Sequence, residues 1–137
     1  MGFTTETSLC FARLIIDGHL DRFPRLKLIA SHGGGALPYL AARLDQCWEK
    51  IGRDRRIDAP PSSYFSRLYF DSILYDQKTL NFLVDYVGAE RVLYGSDYPF
   101  SIGDMSGMLS RVDALPAAQR DLVRSGNAYR IFDLDAT

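Results

Sequence analysis

Two residues of the sequence combine reactive side chains with positions just after apolar segments. His32 lies in "SHGGG" (residues 31–35) after an apolar run, and Asp97 lies in "GSDYP" (95–99) after another. An imidazole can transfer protons or bind a metal near neutral pH, and a carboxylate can bind a metal or act as a base. Each residue also has a structural interpretation, His32 as a residue that caps or packs at a tight turn and Asp97 as a turn former. Their positions in the fold decide between these interpretations.

The hydrophobic pattern predicts helices and strands that alternate along the chain. Apolar residues at helical spacing favour helices, and short apolar runs favour strands. Thr4 or Thr5 is expected to cap the first helix, Gly18 to end it in a left-handed conformation, Pro38 to lie in the first turn of the second, and Asp76 to cap the third. The predicted elements are helices over residues 5–17, after Pro38, after Asp76, and over 105–114, 117–125 and 127–132, strands over 26–31, 67–72 and 91–99, and one polar loop over 52–65.

This order predicts an α/β fold with a parallel sheet, in which ligands bind at the carboxyl ends of the strands. His32 and Asp97 then take equivalent places on two strands separated by one strand, about 10 Å apart at about 4.8 Å per strand. If the sheet curves into a barrel, the two side chains can converge on one ion or substrate. Asp71, at the end of the middle strand, could join them, although a capping role is favoured.

The three glycines after His32 predict a backbone that approaches a ligand closely. They are expected to leave room for the ligand and to leave N–H groups free near the start of the next helix. "HGGG" is also the oxyanion-hole motif of lipases and esterases, which requires a G-x-S-x-G segment and a later histidine. The chain has neither, so this class is excluded. His19 precedes the first strand and is interpreted as a helix-end histidine on the opposite side of the sheet.

A metal centre built from these residues alone is incomplete. Catalytic zinc usually has about three protein ligands and a water molecule. The chain offers one histidine, His32, and one carboxylate, Asp97, at the predicted strand ends, and it contains no H-x-H pair.

The overall composition indicates a globular domain and excludes several function classes. The chain has 137 residues, 47% of them hydrophobic, and a formal charge of −1, with no charged run that would indicate binding to nucleic acid or an anionic membrane. No apolar segment approaches the roughly 18 residues that span a bilayer, and the amino terminus lacks the pattern of a secretory signal. A cytoplasmic protein is therefore expected. Cys10 and Cys47 are predicted to be reduced thiols.

Four segments carry a resemblance to a known family. They are "GHLDRFPRLKLIASHGGGALPYLAARLD", "YFDSILYD", "DYVGAERVLYGSDYPF" and "GNAYRIF". Together they resemble the carboxyl-terminal part of the amidohydrolase-related barrels, and most closely the metal-dependent decarboxylases typified by aminocarboxymuconate-semialdehyde decarboxylase. The resemblance runs over nearly the whole chain.

The resemblance implies a (β/α)8 barrel of the TIM type with a divalent metal, usually zinc, at its mouth. It implies that Asp97 ligates the metal, that His32 acts on the metal-bound water or the substrate, and that Arg43 binds a substrate carboxylate across a dimer interface. The residues alone would make Arg43 a solvated helix residue. The implied reaction is nonoxidative loss of CO2 from an unsaturated or aromatic carboxylic acid. Related enzymes are hydrolases and hydratases.

The chain also departs from the family pattern. Members carry an H-x-H pair on the first strand and another metal-binding histidine on the fifth, and these are absent here. A barrel has eight strands and about 250 residues, whereas three strands are predicted in this chain. Residues 1–137 are therefore expected to form a single partial barrel domain with open sheet edges that favour a homodimer or a separate amino-terminal segment. His32 and Asp97 alone are expected to hold zinc weakly or not at all, so little or no decarboxylase activity is expected of the isolated chain. The alternative is a noncatalytic relative that acts through association.

Overall fold

The computed structural model describes residues 2–51 and 55–134. Within these ranges the helices and strands alternate as predicted. The helices are α1 (Gly2–Ile16), α2 (His19–Arg22), α3 (Leu37–Ile51), α4 (Gln77–Val87), α5 (Met105–Asp113), α6 (Ala117–Asp121) and α7 (Asn127–Phe132), and the strands are β1 (Ile29–Ala30), β2 (Tyr69–Asp71) and β3 (Val92–Leu93). Short 3-10 turns cover His32–Gly34, Pro61–Arg67 and Ala89–Arg91, and a π-helical turn covers Leu122–Gly126.

The three strands form one parallel sheet with β2 in the middle, which confirms the predicted α/β architecture. Ala30 pairs with Phe70 and Phe70 pairs with Val92, so that these side chains form one row across the sheet. All three are 0% exposed. The helices and turns therefore cover this row of side chains, which lies in the hydrophobic core.

The opposite face of the sheet is only partly covered. Ile29 pairs with Tyr69 in the neighbouring row, and Ile29 is 37% exposed although it lies within a strand. Strands of a parallel sheet are ordinarily buried on both faces. Part of the second face is therefore left open by the described residues, as expected for a partial barrel.

Three local predictions about helix ends are confirmed, and one is wrong. Gly18 adopts φ 74°, Asp76 accepts the Thr79 N–H at 3.0 Å, and Pro38 lies in the first turn of α3. Thr4, in contrast, lies inside α1, which already begins at Gly2. Hydroxyl residues favour the cap over the helix interior, but the two residues before Thr4 are already helical, so Thr4 and Thr5 lie within the helix.

The predicted polar loop over residues 52–65 is correct only in part. Residues 52–54 lie outside the described ranges, and the 3-10 turn Pro61–Arg67 occupies the end of the segment. This turn is fixed by a tertiary contact, since Asp45 on α3 accepts the Ser62 N–H at 2.9 Å and the Ser62 hydroxyl at 2.6 Å. A partner so distant in sequence gives no local signal.

Two further expectations concern the cysteines and the membrane. Cys10 is exposed, Cys47 is half-buried, and both are free thiols, as predicted. None of the described helices has the length and apolar character that crossing a bilayer requires.

A buried asparagine joins the last helix to the third strand. Asn127, at the start of α7, is 0% exposed, and its amide nitrogen donates to the carbonyls of Ala89 and Val92, each at 2.7 Å. Its amide oxygen accepts from the Arg130 guanidinium at 3.0 Å. Asn127 thus binds the backbone on both sides of the entry into β3.

Replacing Asn127 by alanine should destabilise the fold, because two buried carbonyls lose their donor. We expect the free energy of unfolding to fall by about 2 kcal/mol or more, measured by urea denaturation. Asn81→Ala is the matched control, since Asn81 is exposed and bonds only to Gln77, and it should change stability by less than about 0.5 kcal/mol. Equal effects of the two substitutions would contradict this role for Asn127.

Candidate active site

The turn that follows β1 has an uncommon backbone conformation. His32 and the next three glycines all have positive φ, from 57° at His32 to 78° at Gly34. A positive φ is uncommon for a residue with a Cβ, although histidine and aspartate tolerate it better than most. Thr7 of α1 approaches the imidazole, with its Oγ1 3.4 Å from His32 Nδ1. The turn therefore presents the imidazole from a strained position against α1.

The glycines serve packing and backbone conformation, and the prediction that they leave free N–H groups is wrong. The N–H groups of Gly33, Gly34 and Gly35 donate to the Asp71 carboxylate, the Ser31 carbonyl and the His32 carbonyl. A Cβ on Gly34 would lie 2.9 Å from the Phe70 ring, and one on Gly35 would lie 2.3 Å from the Thr4 carbonyl oxygen. The space that the missing side chains leave is filled by the protein itself, because α1 and β2 pack against this turn.

Asp71 has the capping role that the sequence favoured. Its Oδ1 accepts the N–H of Gly33 at 2.9 Å and that of Ile73 at 3.1 Å. The side chain is buried, and this burial raises the pKa of Asp71, while the backbone donors, including His32, oppose the shift. Asp71 therefore holds the turn that carries His32.

Asp97 also has a positive φ, of 62°, and lies four residues beyond β3. The Tyr75 hydroxyl lies within hydrogen-bonding distance of two acceptors, Asp97 Oδ2 at 3.1 Å and the Ile102 carbonyl at 2.9 Å. Partial burial and the bond to Asp97 raise the pKa of Tyr75, so this phenol stays protonated as a donor near neutral pH. Sequence patterns gave no signal for Tyr75, because the contact depends on the path of two loops.

His32 and Asp97 line the same space at the carboxyl ends of the strands. Both border a cavity of about 470 Å³, shared with Tyr75, and an adjoining cavity of about 270 Å³, shared with Phe100. The two residues share these cavities because β1 and β3 lie on either side of β2; their convergence on one ion or substrate stays a prediction. Asp71 holds the turn and does not line either cavity.

Two other residues singled out in the sequence lie elsewhere. Arg43 is exposed on α3 and borders neither of these cavities. His19, at the start of α2, borders a separate groove with Cys10 and Arg13. The carboxylate-binding role of Arg43 stays a prediction.

The donor atoms in the cavity are of the right kind for a divalent metal, but their number is too small. Imidazole nitrogen and carboxylate oxygen are both ordinary ligands of zinc and manganese. Across residues 2–51 and 55–134, however, no three histidine, cysteine, aspartate or glutamate side chains are grouped so that they could hold an ion. His32 and Asp97 are thus two donors of an incomplete set.

The fold and the cavity define a class of protein: a parallel α/β domain with a polar site at the carboxyl ends of its strands, as in TIM-type barrels. Residues 1–134 match the model of the amidohydrolase family. The chain therefore belongs to this family.

Three relatives illustrate the similarity. The chain is 28% identical to 2-amino-3-carboxymuconate-6-semialdehyde decarboxylase of Dictyostelium discoideum, with 98% of this chain and 39% of that protein aligned. It matches the structure of 5-carboxyvanillate decarboxylase from Sphingomonas paucimobilis with a TM-score of 0.85 and 30% identity, over 96% of this chain and 41% of the other. It also matches the structure of dihydroxybenzoic acid decarboxylase from Polaromonas sp. JS666, which was solved with manganese and the inhibitor 2-nitroresorcinol. That match has a TM-score of 0.83 and 26% identity, over 98% of this chain and 42% of the other.

These alignments include nearly all of this chain but only about two fifths of each relative. The three parallel strands and their flanking helices therefore correspond to part of a barrel, which confirms the fold class. The resemblance to amidohydrolase-related decarboxylases is likewise confirmed.

Substitution of Gly34 tests whether the turn after β1 needs glycine in order to pack against Phe70. Gly34→Ala would place a methyl group against Phe70 at a φ of 78°, and we expect it to lower the free energy of unfolding by about 1–3 kcal/mol. Gly2→Ala is the control, because nothing lies within 4 Å of a Cβ there, and it should change stability by less than about 0.5 kcal/mol. Thermal or urea unfolding measures both, and a neutral Gly34→Ala would refute the packing explanation.

Proposed function

We propose that this chain contributes to nonoxidative decarboxylation of an aromatic or unsaturated carboxylic acid with the help of a divalent metal. In this proposal His32 is the proton-transferring residue and Asp97 is a metal ligand. Residues 1–137 act as a single partial barrel domain. The remaining metal ligands would come from a second chain or from a segment outside these residues.

One observation carries the proposal: His32 and Asp97, from loops 65 positions apart in sequence, border the same cavity. Both residues also have a positive φ, and strained backbone is concentrated at functional sites. The named relatives that share this fold are decarboxylases of small carboxylic acids. The cavity of about 470 Å³ is within the range of small-molecule sites.

The chemistry assigned to His32 follows from what decarboxylation requires. When the bond between the carboxylate and the substrate carbon breaks, its electron pair stays on that carbon, which must take up a proton as CO2 leaves. An imidazole can donate a proton and take one up again, so His32 is suited to deliver that proton. Tyr75, as a donor to Asp97, would keep the carboxylate in place beside it.

Several finer assignments belong to the same proposal. We propose zinc as the metal, since histidine and aspartate are common zinc ligands, whereas the Polaromonas relative contains manganese. Arg43, which is exposed on α3, would bind a substrate carboxylate at the site of a neighbouring subunit in a homodimer. The guanidinium suits this role because it binds carboxylates through two parallel hydrogen bonds. The proposed location is the cytoplasm.

Substitution of His32 and Asp97 tests the proposed function. The protein is assayed as cells produce it, together with any chain or segment that supplies the remaining metal ligands. With zinc or manganese supplied, CO2 release from 2,6-dihydroxybenzoate or aminocarboxymuconate semialdehyde should fall about 100-fold or more in His32→Gln and Asp97→Asn. The controls are His19→Gln, the other histidine, and Asp85→Asn, an exposed carboxylate on α4. Activity that survives both site substitutions, or no activity on any such acid, would refute the proposal.

A second candidate function is noncatalytic association. It is favoured by the absence of a three-donor group within the described ranges and by exposed apolar side chains around the cavity. Phe3, Phe100 and Ile102 are 75%, 67% and 64% exposed and border the cavity with His32. Such a surface would bind another protein surface rather than a substrate.

Metal binding separates the two candidates. If the decarboxylase proposal is right, the protein together with the chain or segment that supplies the remaining ligands should bind zinc or manganese stoichiometrically in calorimetric titration, and both His32→Ala and Asp97→Ala should weaken binding about tenfold or more. His19→Ala should leave binding unchanged. Association without catalysis predicts no stoichiometric metal and no difference among these variants.

A further inference from the structure

The middle strand ends in two adjacent polar side chains that are both buried. Asp71 is 8% exposed and Ser72 is 1% exposed. Ser72 still belongs to the ladder, because its N–H donates to the Leu93 carbonyl at 2.8 Å. Successive side chains of a strand point to opposite faces, so Asp71 and Ser72 reach different surroundings. Buried polar groups destabilise a fold unless they have partners, and the partners of these two lie on different loops.

Asp71 bonds to the loop after β1. Its Oδ1 accepts the Gly33 N–H at 2.9 Å, and that N–H belongs to the peptide unit that joins His32 to Gly33. Fixing this peptide plane fixes the backbone torsion on the carboxyl side of His32. Asp71 therefore acts on the direction in which His32 presents its imidazole.

Ser72 bonds to the loop after β3. Its Oγ accepts the Gly95 N–H at 3.1 Å, two residues before Asp97. Gly95 also approaches β2 closely, since a Cβ there would lie 3.0 Å from Ile73 Cγ1 and 3.2 Å from Asp71 Cβ. Ser72 thus fixes the point at which the chain leaves β3 and turns toward Asp97.

Both loops need such support. His32 and Asp97 have φ of 57° and 62°, and a residue with a Cβ keeps this conformation only where its surroundings determine it. The pairing of β2 with both β1 and β3 places Asp71 and Ser72 next to both loops.

We propose that Asp71 and Ser72 are separate positioning residues, Asp71 for His32 and Ser72 for the loop that carries Asp97. The proposal rests on the proposed function for the roles of His32 and Asp97. The positions of the two loops, however, can be measured without any activity.

Nuclear magnetic resonance of the full 15N-labelled chain tests the proposal at one fixed pH. In Asp71→Ala, the Gly33 amide should exchange with solvent about fivefold faster or more, and the His32 ring signals should shift. The Gly95 and Asp97 amides should stay as in the wild type. Ser72→Ala should give the reverse pattern, with a faster Gly95 amide, a shifted Asp97 amide and unchanged His32 ring signals.

Three controls separate positioning from general stability. Asp71→Asn removes the same charge but keeps an acceptor oxygen near the Gly33 N–H, so the Gly33 amide should exchange as in the wild type and the His32 ring signals should shift less than in Asp71→Ala. Asp45→Ala removes a carboxylate that binds the Ser62 N–H elsewhere in the fold, and Ser63→Ala removes an exposed hydroxyl bond to the Pro60 carbonyl. Neither of these two should change signals of either site loop.

The proposal fails if Asp71→Ala and Ser72→Ala each disturb both loops equally, or if they lower the unfolding midpoint and leave both sets of loop signals unchanged. Should Asp71→Ala not fold, Asp71→Leu replaces it, with a similar shape and no acceptor. If neither folds, the Ser72→Ala arm decides, and unchanged Gly95 and Asp97 signals would overturn the proposal. Decarboxylation insensitive to His32→Gln would refute the proposed function and leave these measurements unaffected.

Discussion

Phe70 connects the hydrophobic core to the candidate active site. It pairs with Ala30 on one side and Val92 on the other, and all three are fully buried. Its ring packs edge-on against Phe65 at 6.1 Å and fills the space where Gly34 would carry a Cβ. The packing of the middle strand therefore requires glycine in the turn after His32, and the shape of that turn follows from the core.

In the candidate site, tertiary contacts hold the backbone in conformations that its residues do not favour locally. His32 and Asp97 both adopt conformations that are unfavourable for residues with a Cβ. Asp71 accepts the Gly33 N–H next to His32, and the Tyr75 hydroxyl bonds to Asp97. These contacts form because the strands run parallel and end at the same edge of the sheet. His32 and Asp97 border the cavity together. Within the described part of the chain, no group of three histidine, cysteine, aspartate or glutamate side chains could hold a metal ion there.

The small number of metal-binding side chains in the site is what part of an amidohydrolase-family barrel would contain. The chain aligns with about two fifths of the length of the decarboxylases it matches, and one face of its sheet is partly open at Ile29. A barrel site gathers residues from the ends of several strands. Three strands can therefore supply only some of the side chains that a complete site of this kind contains.

The sequence by itself determined the alternation of helices and strands, the place of His32 and Asp97 in the loops that follow two strands, and the caps at Gly18 and Asp76. Hydrophobic period and turn chemistry are local properties, so they can be read along the chain. Only the tertiary structure decided what the three glycines do, where α1 begins and which hydroxyl binds Asp97. Those features depend on contacts between residues far apart in sequence, such as Gly34 with Phe70 and Tyr75 with Asp97, and no local pattern encodes them.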